Sequence, residues 1–307
     1  KNRELMPIVA PNKLKNDSDV YDNVILTKTI PRNNQDDFTT LTKQNPHNPS
    51  KKVKNFLKSN KKIFNKFNTM GKYDLILDNV IAKKIGVNED QIVFFKTEFD
   101  AIKRLFELFV SKGSEIVSTN PPWAYLELCT IESKAMLNLT TLENTNGREL
   151  DINYQYITFS PKTKIIYLSS PNNISGQCIK NNKAWKKFLE KIPDNILIII
   201  DQRYFEFVYE TKELDKDKPN MLDAIELMKN NKNVIVFRSF NNFYSIENLE
   251  ICYFIADNSI INFFKNSQVI NPIDRFTEGL ALTVIDDPYY EKTKKKIQQE
   301  RERMFRT

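Results

Sequence analysis

Asp201 stands at the C-terminal end of the apolar run Ile196-Leu-Ile-Ile-Ile200, where the exit of a strand can present a carboxylate to a ligand. Read alone, an aspartate in that position is a cap or an ion-pair partner. Tyr204 follows three residues on, and Trp123 opens another apolar segment after Asn120-Pro-Pro122; each ring can serve as core or as a stacking surface. Pro171-Asn-Asn-Ile-Ser-Gly176 reads as a turn that offers the carboxamide of Asn172. Ser239 follows the run Val234-Ile-Val-Phe-Arg238 with a hydroxyl, and Asn241 and Asn242 add carboxamides. A carboxamide nitrogen is neither nucleophilic nor basic, so Asn242 brings no amine chemistry to this loop, and Lys229 and Lys232 both precede the strand. His47, the only histidine, sits in a proline-flanked loop and is a poor candidate base. Cys129, Cys178 and Cys252 are odd in number and scattered, which suggests neither a disulfide framework nor a zinc site.

The segments that must carry these residues alternate between two periods. Short apolar strands are expected at Gln91 to Phe95, Glu115 to Ser118, Ala135 to Leu139, Lys164 to Leu168, Ile196 to Ile200, Val234 to Arg238 and Glu250 to Ile255. Helical spacing appears from Ser50, as a cap, to about Asn65, then in Leu75 to Ile85, Phe99 to Val110, Trp123 to Ser133, Lys183 to Lys191 and Met221 to Lys229. Alternation of this kind predicts an α/β fold, a three-layer sandwich with a mostly parallel central sheet covered on both faces. Residues 1–37 are polar and interrupted by Pro7, Pro11 and Pro31, and read as an arm that packs on a neighbour or stays loose. Residues 38–287 form the large domain, and residues 288–307 a highly charged helix with Ile297 and Met304 on a thin apolar stripe.

The 307 residues can bury a sizeable core, and 40% hydrophobic content suits a globular protein. No apolar run reaches the roughly 18–20 residues that cross a bilayer. The formal net charge of +7 permits a polyanionic partner, and a basic nucleic-acid-binding module with salt-dependent binding is one reading. Lysine is dispersed along the chain, however, and the densest cluster, Lys51 to Lys66, reads as the solvated face of a helix. Nucleic acid is therefore not the expected partner. A reducing, cytoplasmic setting is expected from the cysteine usage.

Four stretches together resemble the fold type I pyridoxal-phosphate-dependent aminotransferases of class I/II, nearest to the histidinol-phosphate aminotransferase branch. Val234 to Tyr253 resembles the cofactor-lysine loop, Pro171-Asn-Asn-Ile-Ser-Gly176 its Pro-Asn-Asn-Pro-Thr-Gly turn, and Asp201-Gln-Arg-Tyr-Phe-Glu-Phe207 its Asp-Glu-Ala-Tyr-Phe-Glu-Phe segment. Asn120-Pro-Pro-Trp-Ala-Tyr125 is similar to the segment that supplies a stacking aromatic, and Gln44 to Ser50 is a weaker echo of an early Asn-Pro stretch. The resemblance implies a cofactor cradle of Trp123, Asn172, Asp201, Tyr204 and Ser239. In that cradle Asp201 would pair with the pyridine nitrogen, Asn172 and Tyr204 would touch the phenolic oxygen, and Trp123 would stack on the ring.

The same resemblance implies losses. Asn242 falls where the family carries its lysine, so no catalytic residue is expected at that position. Glu98 replaces a phosphate-binding serine, Thr97 a glycine, and Glu250 the phosphate-binding arginine, which sets carboxylates against a dianion. Arg203 replaces an alanine beneath the ring and could pair with Glu98 or Glu250. The family also continues into a small C-terminal lobe, here absent or truncated. The expectations are a degenerate aminotransferase-like binding or scaffolding subunit, no bound cofactor, and a homodimer or a dimer with a paralogue. Two alternatives stand beside them: an aminotransferase of the histidinol-phosphate type, and an enzyme that holds the cofactor non-covalently.

Overall fold

The computed structural model describes residues 47–59, 76–145, 149–152, 157–173, 176, 178–179, 187–208, 221–246, 250–267 and 273–306. The whole of the expected arm, residues 60–65 of the helix expected from Ser50, and residues 183–186 of the helix expected at Lys183 to Lys191 lie outside these residues. Seven strands form one mixed sheet: β1 (Ile92–Phe95), β2 (Glu115–Asn120), β3 (Met136–Thr145), β5 (Thr163–Ser169), β6 (Leu197–Asp201), β7 (Val234–Ser239) and β8 (Cys252–Ile255). A further strand, β4 (Glu149–Ile152), folds back antiparallel on β3, giving the order β1-β8-β7-β6-β5-β2-β3-β4. The centre from β3 through β2, β5 and β6 to β7 is parallel, while β8 pairs antiparallel with both β7 and β1. That is the mostly parallel α/β three-layer sandwich expected from the alternation.

Alternation along the strands sorts the core into two faces. Ile198, Ile200, Val234, Val236, Tyr253 and Ile255 point one way, against α1 (Lys51–Ser59), α2 (Leu77–Ile85), α5 (Ala224–Asn230) and α7 (Arg275–Ile285). Ile199, Ile235, Phe237, Tyr167 and Phe254 point the other way, against α3 (Glu98–Phe109), α4 (Ala124–Glu132) and α6 (Asn258–Ser267). With both faces covered, β7 is buried at every residue, which explains its continuous apolar run.

Local chemistry starts the helices. Ser50 Oγ accepts from the Val53 amide at 3.1 Å, so the cap read from the sequence is formed. Thr97 Oγ1 accepts from the Asp100 amide at 2.9 Å and opens α3, whose Ala101, Ile102, Leu105 and Phe106 bury one stripe. Asp223 caps α5 and Asp274 caps α7. Gly86, at φ +69°, turns the chain out of α2 in the left-handed conformation that favours glycine. The charged tail is helical as expected, α8 (Pro288–Arg306); Ile297 packs against the core, whereas Met304 is exposed. Helices α6 and α7 were not among the expected elements. In α7 a glycine, Gly279, interrupts the helical composition because the Phe56 ring of α1 leaves a Cβ only 2.9 Å of room.

Candidate functional site

The C-terminal ends of β5, β6 and β7 converge on Asp201, which is 1% exposed. Its Oδ2 accepts from Tyr167 Oη at 2.7 Å and from Arg203 Nη2 at 2.8 Å; its Oδ1 accepts from Arg203 Nε at 2.9 Å and from the Arg203 amide at 3.1 Å. Nε and Nη2 form a fork, the geometry that makes arginine–carboxylate pairs specific. The third nitrogen, Nη1, donates to Glu98 Oε2. Of the two anions expected near Arg203, Glu98 takes the ion pair and Glu250 does not, Asp201 being the other partner. Glu98 sits at the first position of α3, and its Oε1 also accepts from Asn241 Nδ2 at 3.3 Å.

The guanidinium plane is capped by indole: the Arg203 carbon lies 3.5 Å from the Trp123 ring centroid. Trp123 precedes α4 and lies 6.2 Å from the Tyr167 ring, nearly parallel at 24°. Burial alone would lower the arginine pKa, but Asp201 and Glu98 outweigh it and hold Arg203 well above its ordinary value. Burial, then the Asp201 charge, pushes the Tyr167 hydroxyl well up, so it remains a proton donor to that carboxylate. The arrangement is a closed hydrogen-bonded set: a planar cation, two carboxylates, a phenol and an indole face.

The other expected residues lie around this set. Asn172 is buried in the turn after the cis peptide Ser170-Pro171, and its carbonyl accepts from the Gly176 amide at 2.8 Å. Tyr204 begins the short 3-10 turn Phe205–Phe207 and is half-buried; burial raises its pKa. Ser239 Oγ accepts from the Asn241 amide at 3.0 Å. Asn242 is half-buried and donates through Nδ2 to the Arg203 carbonyl at 3.4 Å. Asn241 ties the loop to β8 by accepting from the Ile251 amide at 2.9 Å. The sequence reading therefore named every member of the central set except Tyr167. Its period-2 position on β5, two residues before Ser169, was the available signal.

His47 has a structural role. Its Nε2 lies 2.7 Å from the Phe243 carbonyl, its Nδ1 lies 3.0 Å from Ser245 Oγ, and its ring stands edge-on to Tyr289 at 5.7 Å. The three cysteines are free, and the described residues contain no cluster of metal-ligating side chains. Among the described residues no helix is long and apolar enough to cross a membrane.

Comparison with known proteins places this geometry. The family described as "Aminotransferase class I and II" matches residues 36–307. The chain is 24% identical over 244 residues to a histidinol-phosphate aminotransferase of Caldicellulosiruptor saccharolyticus, covering 80% of this chain and 64% of that protein. It is 27% identical to histidinol-phosphate aminotransferase 2 of Haemophilus influenzae, covering 70% of this chain and 56% of that protein. The chain thus spans about three fifths of the length of these relatives. Among solved structures, the histidinol-phosphate aminotransferase of Sinorhizobium meliloti in complex with pyridoxal-5'-phosphate superposes with a TM-score of 0.70 at 17% identity, over 84% of this chain and 67% of that one. The Clostridium acetobutylicum histidinol-phosphate aminotransferase gives 0.66 at 21%, over 85% and 74%.

These matches correct one expectation. The sequence departures argued for no cofactor, but the matched fold is that of pyridoxal-phosphate enzymes, and the Sinorhizobium meliloti structure carries that cofactor. Pyridoxal phosphate, not an empty cradle, is the group to which this fold points. The departures argue for loss of a ligand, and likeness of the whole scaffold outweighs them. In the observed arrangement Arg203 covers the Trp123 face, so a pyridine ring on that face requires Arg203 to swing aside.

Proposed function

The chain belongs to the class I and II aminotransferase family, and from that premise we propose that it is a histidinol-phosphate-aminotransferase-like subunit that does not itself carry out lysine-dependent amino transfer. One observation carries the reading. Asn242, where the resemblance puts the lysine, offers only a carboxamide, held 3.4 Å from the Arg203 carbonyl. In this reading residues 38–287 are the large domain, residues 288–307 the helix leading toward a small lobe, and the subunit pairs with itself or with an active paralogue in the cytoplasm.

A second reading is favoured by the residues that remain. Trp123, Asn172, Asp201, Tyr204 and Ser239 would hold pyridoxal phosphate non-covalently, with Arg203 displaced toward solvent. The cofactor would then supply its usual electron-withdrawing ring, and Asp201, released from the Arg203 fork, would orient the ring nitrogen. Tyr167 would keep its hydrogen bond to Asp201 and hold that carboxylate in place.

The two readings separate in one experiment on the purified chain. Amino transfer from histidinol phosphate or glutamate should be undetectable for the unaltered protein, with or without pyridoxal phosphate. Quenching of Trp123 fluorescence measures cofactor affinity independently of turnover. Saturable quenching without turnover selects the second reading. Turnover by the unaltered chain sinks the first.

A further inference from the structure

Arg203 makes with its own guanidinium the contacts that the non-covalent reading asks of a bound ring. Its Nε and Nη2 fork onto Asp201 at 2.9 and 2.8 Å, and its central carbon lies 3.5 Å from the Trp123 ring centroid. A planar cation on a carboxylate, stacked on an indole, is also what a protonated pyridine would be between those two residues. Asp201 is 1% exposed and Arg203 3%, so no ligand reaches the carboxylate while the arginine is in place. Glu98, Trp123 and Asn242 are half-buried, and it is past them that the side chain can leave.

The arginine is held from a second side. Its Nη1 donates to Glu98 at the first position of α3, whose Oε1 accepts from Asn241 Nδ2 at 3.3 Å; Asn241 in turn accepts from the Ile251 amide at 2.9 Å. One side chain at the exit of β6 is thereby tied to the start of α3 and to the loop after β7. The other arginine nearby cannot take its place. On the opposite face of the sheet, Gln202 and Arg238 line a cavity of about 1400 Å³ together with Glu206 and Asp287, and Arg238 donates there to Gln202 Oε1 at 3.1 and 2.9 Å. Displacing Arg203 therefore leaves Glu98 without its cation, and Asp201 without one until a bound cation replaces it.

We infer that Arg203 is an autoinhibitory latch, a built-in guanidinium that competes with a pyridinium cofactor for Asp201 and the Trp123 face, with Glu98 as its catch. The inference rests on the non-covalent reading of the cradle and adds its regulation. Only the fraction of molecules with Arg203 swung out can accept the ring, and the apparent affinity falls by that fraction.

Pyridoxine 5'-phosphate is the probe, because it keeps the ring and the phosphate but has no aldehyde to react with lysines. In equilibrium dialysis with the full chain, Arg203→Ala should bind it at least tenfold more tightly than the unaltered protein, and binding by the variant alone supports the latch equally. Equal affinity overturns the latch and leaves the non-covalent reading standing; absence of binding by both proteins removes both. Should Arg203→Ala not fold, Glu98→Gln decides. It takes away one of the two carboxylates that hold the arginine, and should tighten binding at least threefold for both pyridoxine 5'-phosphate and phosphate-free pyridoxine. A gain confined to the phosphorylated probe would assign the effect to charge beside the phosphate and overturn the latch.

Discussion

The two faces of one strand end solve the same problem in opposite ways. On the Trp123 face, the buried Asp201 and the half-buried Glu98 share one buried cation, and every oxygen of Asp201 has a donor. On the other face, the half-buried Glu206 and the buried Asp287 each keep one buried oxygen that meets no donor, and Arg238 nearby is held by a glutamine. A single residue step along the chain, from Gln202 to Arg203, moves a side chain from one environment to the other. Burial of charge therefore does not predict its energetic sign; the completeness of its partners does.

Four substitutions test that contrast, beginning with the largest effect. Asp201→Asn should remove about 3–5 kcal/mol of stability, because it leaves the Arg203 cation buried with half its partners; urea unfolding followed by circular dichroism measures it, and a loss under 1 kcal/mol would erase the contrast. Glu206→Gln should act in the opposite direction. The folded-state pKa of about 7 lies above the ordinary value of 4.5, so Glu206 favours the folded state below pH 4.5, and that contribution is lost as pH rises through 7. The variant should be more stable than the parent at pH 8 by on the order of 3 kcal/mol, with the gain vanishing toward pH 4.5. Thermal melts across that range check both the sign and the window. Tyr167→Phe should cost about 2 kcal/mol by taking one donor from Asp201. Trp123→Leu should cost about 1 kcal/mol beyond its lost packing, the share of the guanidinium–indole contact, measured as the coupling in a double-mutant cycle with Arg203→Met.

The strands were legible because they are buried on both faces: β6 and β7 read as continuous apolar runs, and each observed range lies within a residue of the expected one at both ends. Capping chemistry was legible for α1, where Ser50 is the cap. Helix α7 was not, although Asp274 and the spacing of Leu280, Ala281 and Val284 were available, because Gly279 answers to the Phe56 ring of a distant helix. The same division holds at the site. Arg203 and Glu98 were anticipated as partners through the aligned motifs, but the choice of Glu98 over Glu250 depends on where α3 begins, which is set by Thr97. Glu206 and Asp287, 81 residues apart in the chain, share a cavity only because α7 brings its C-terminal end back to the sheet. No local pattern announces such a meeting.

The bolt formed by His47 has its own consequence. With Nε2 on the Phe243 carbonyl and the Ser245 hydroxyl donating to the His47 carbonyl at 2.7 Å, a segment near the start of the described chain clamps the loop immediately after Asn242. A side chain grafted at position 242 would therefore hang from anchored backbone, and any new reactivity it brought would be inherited from a pre-set position, with little of its cost spent on ordering the loop.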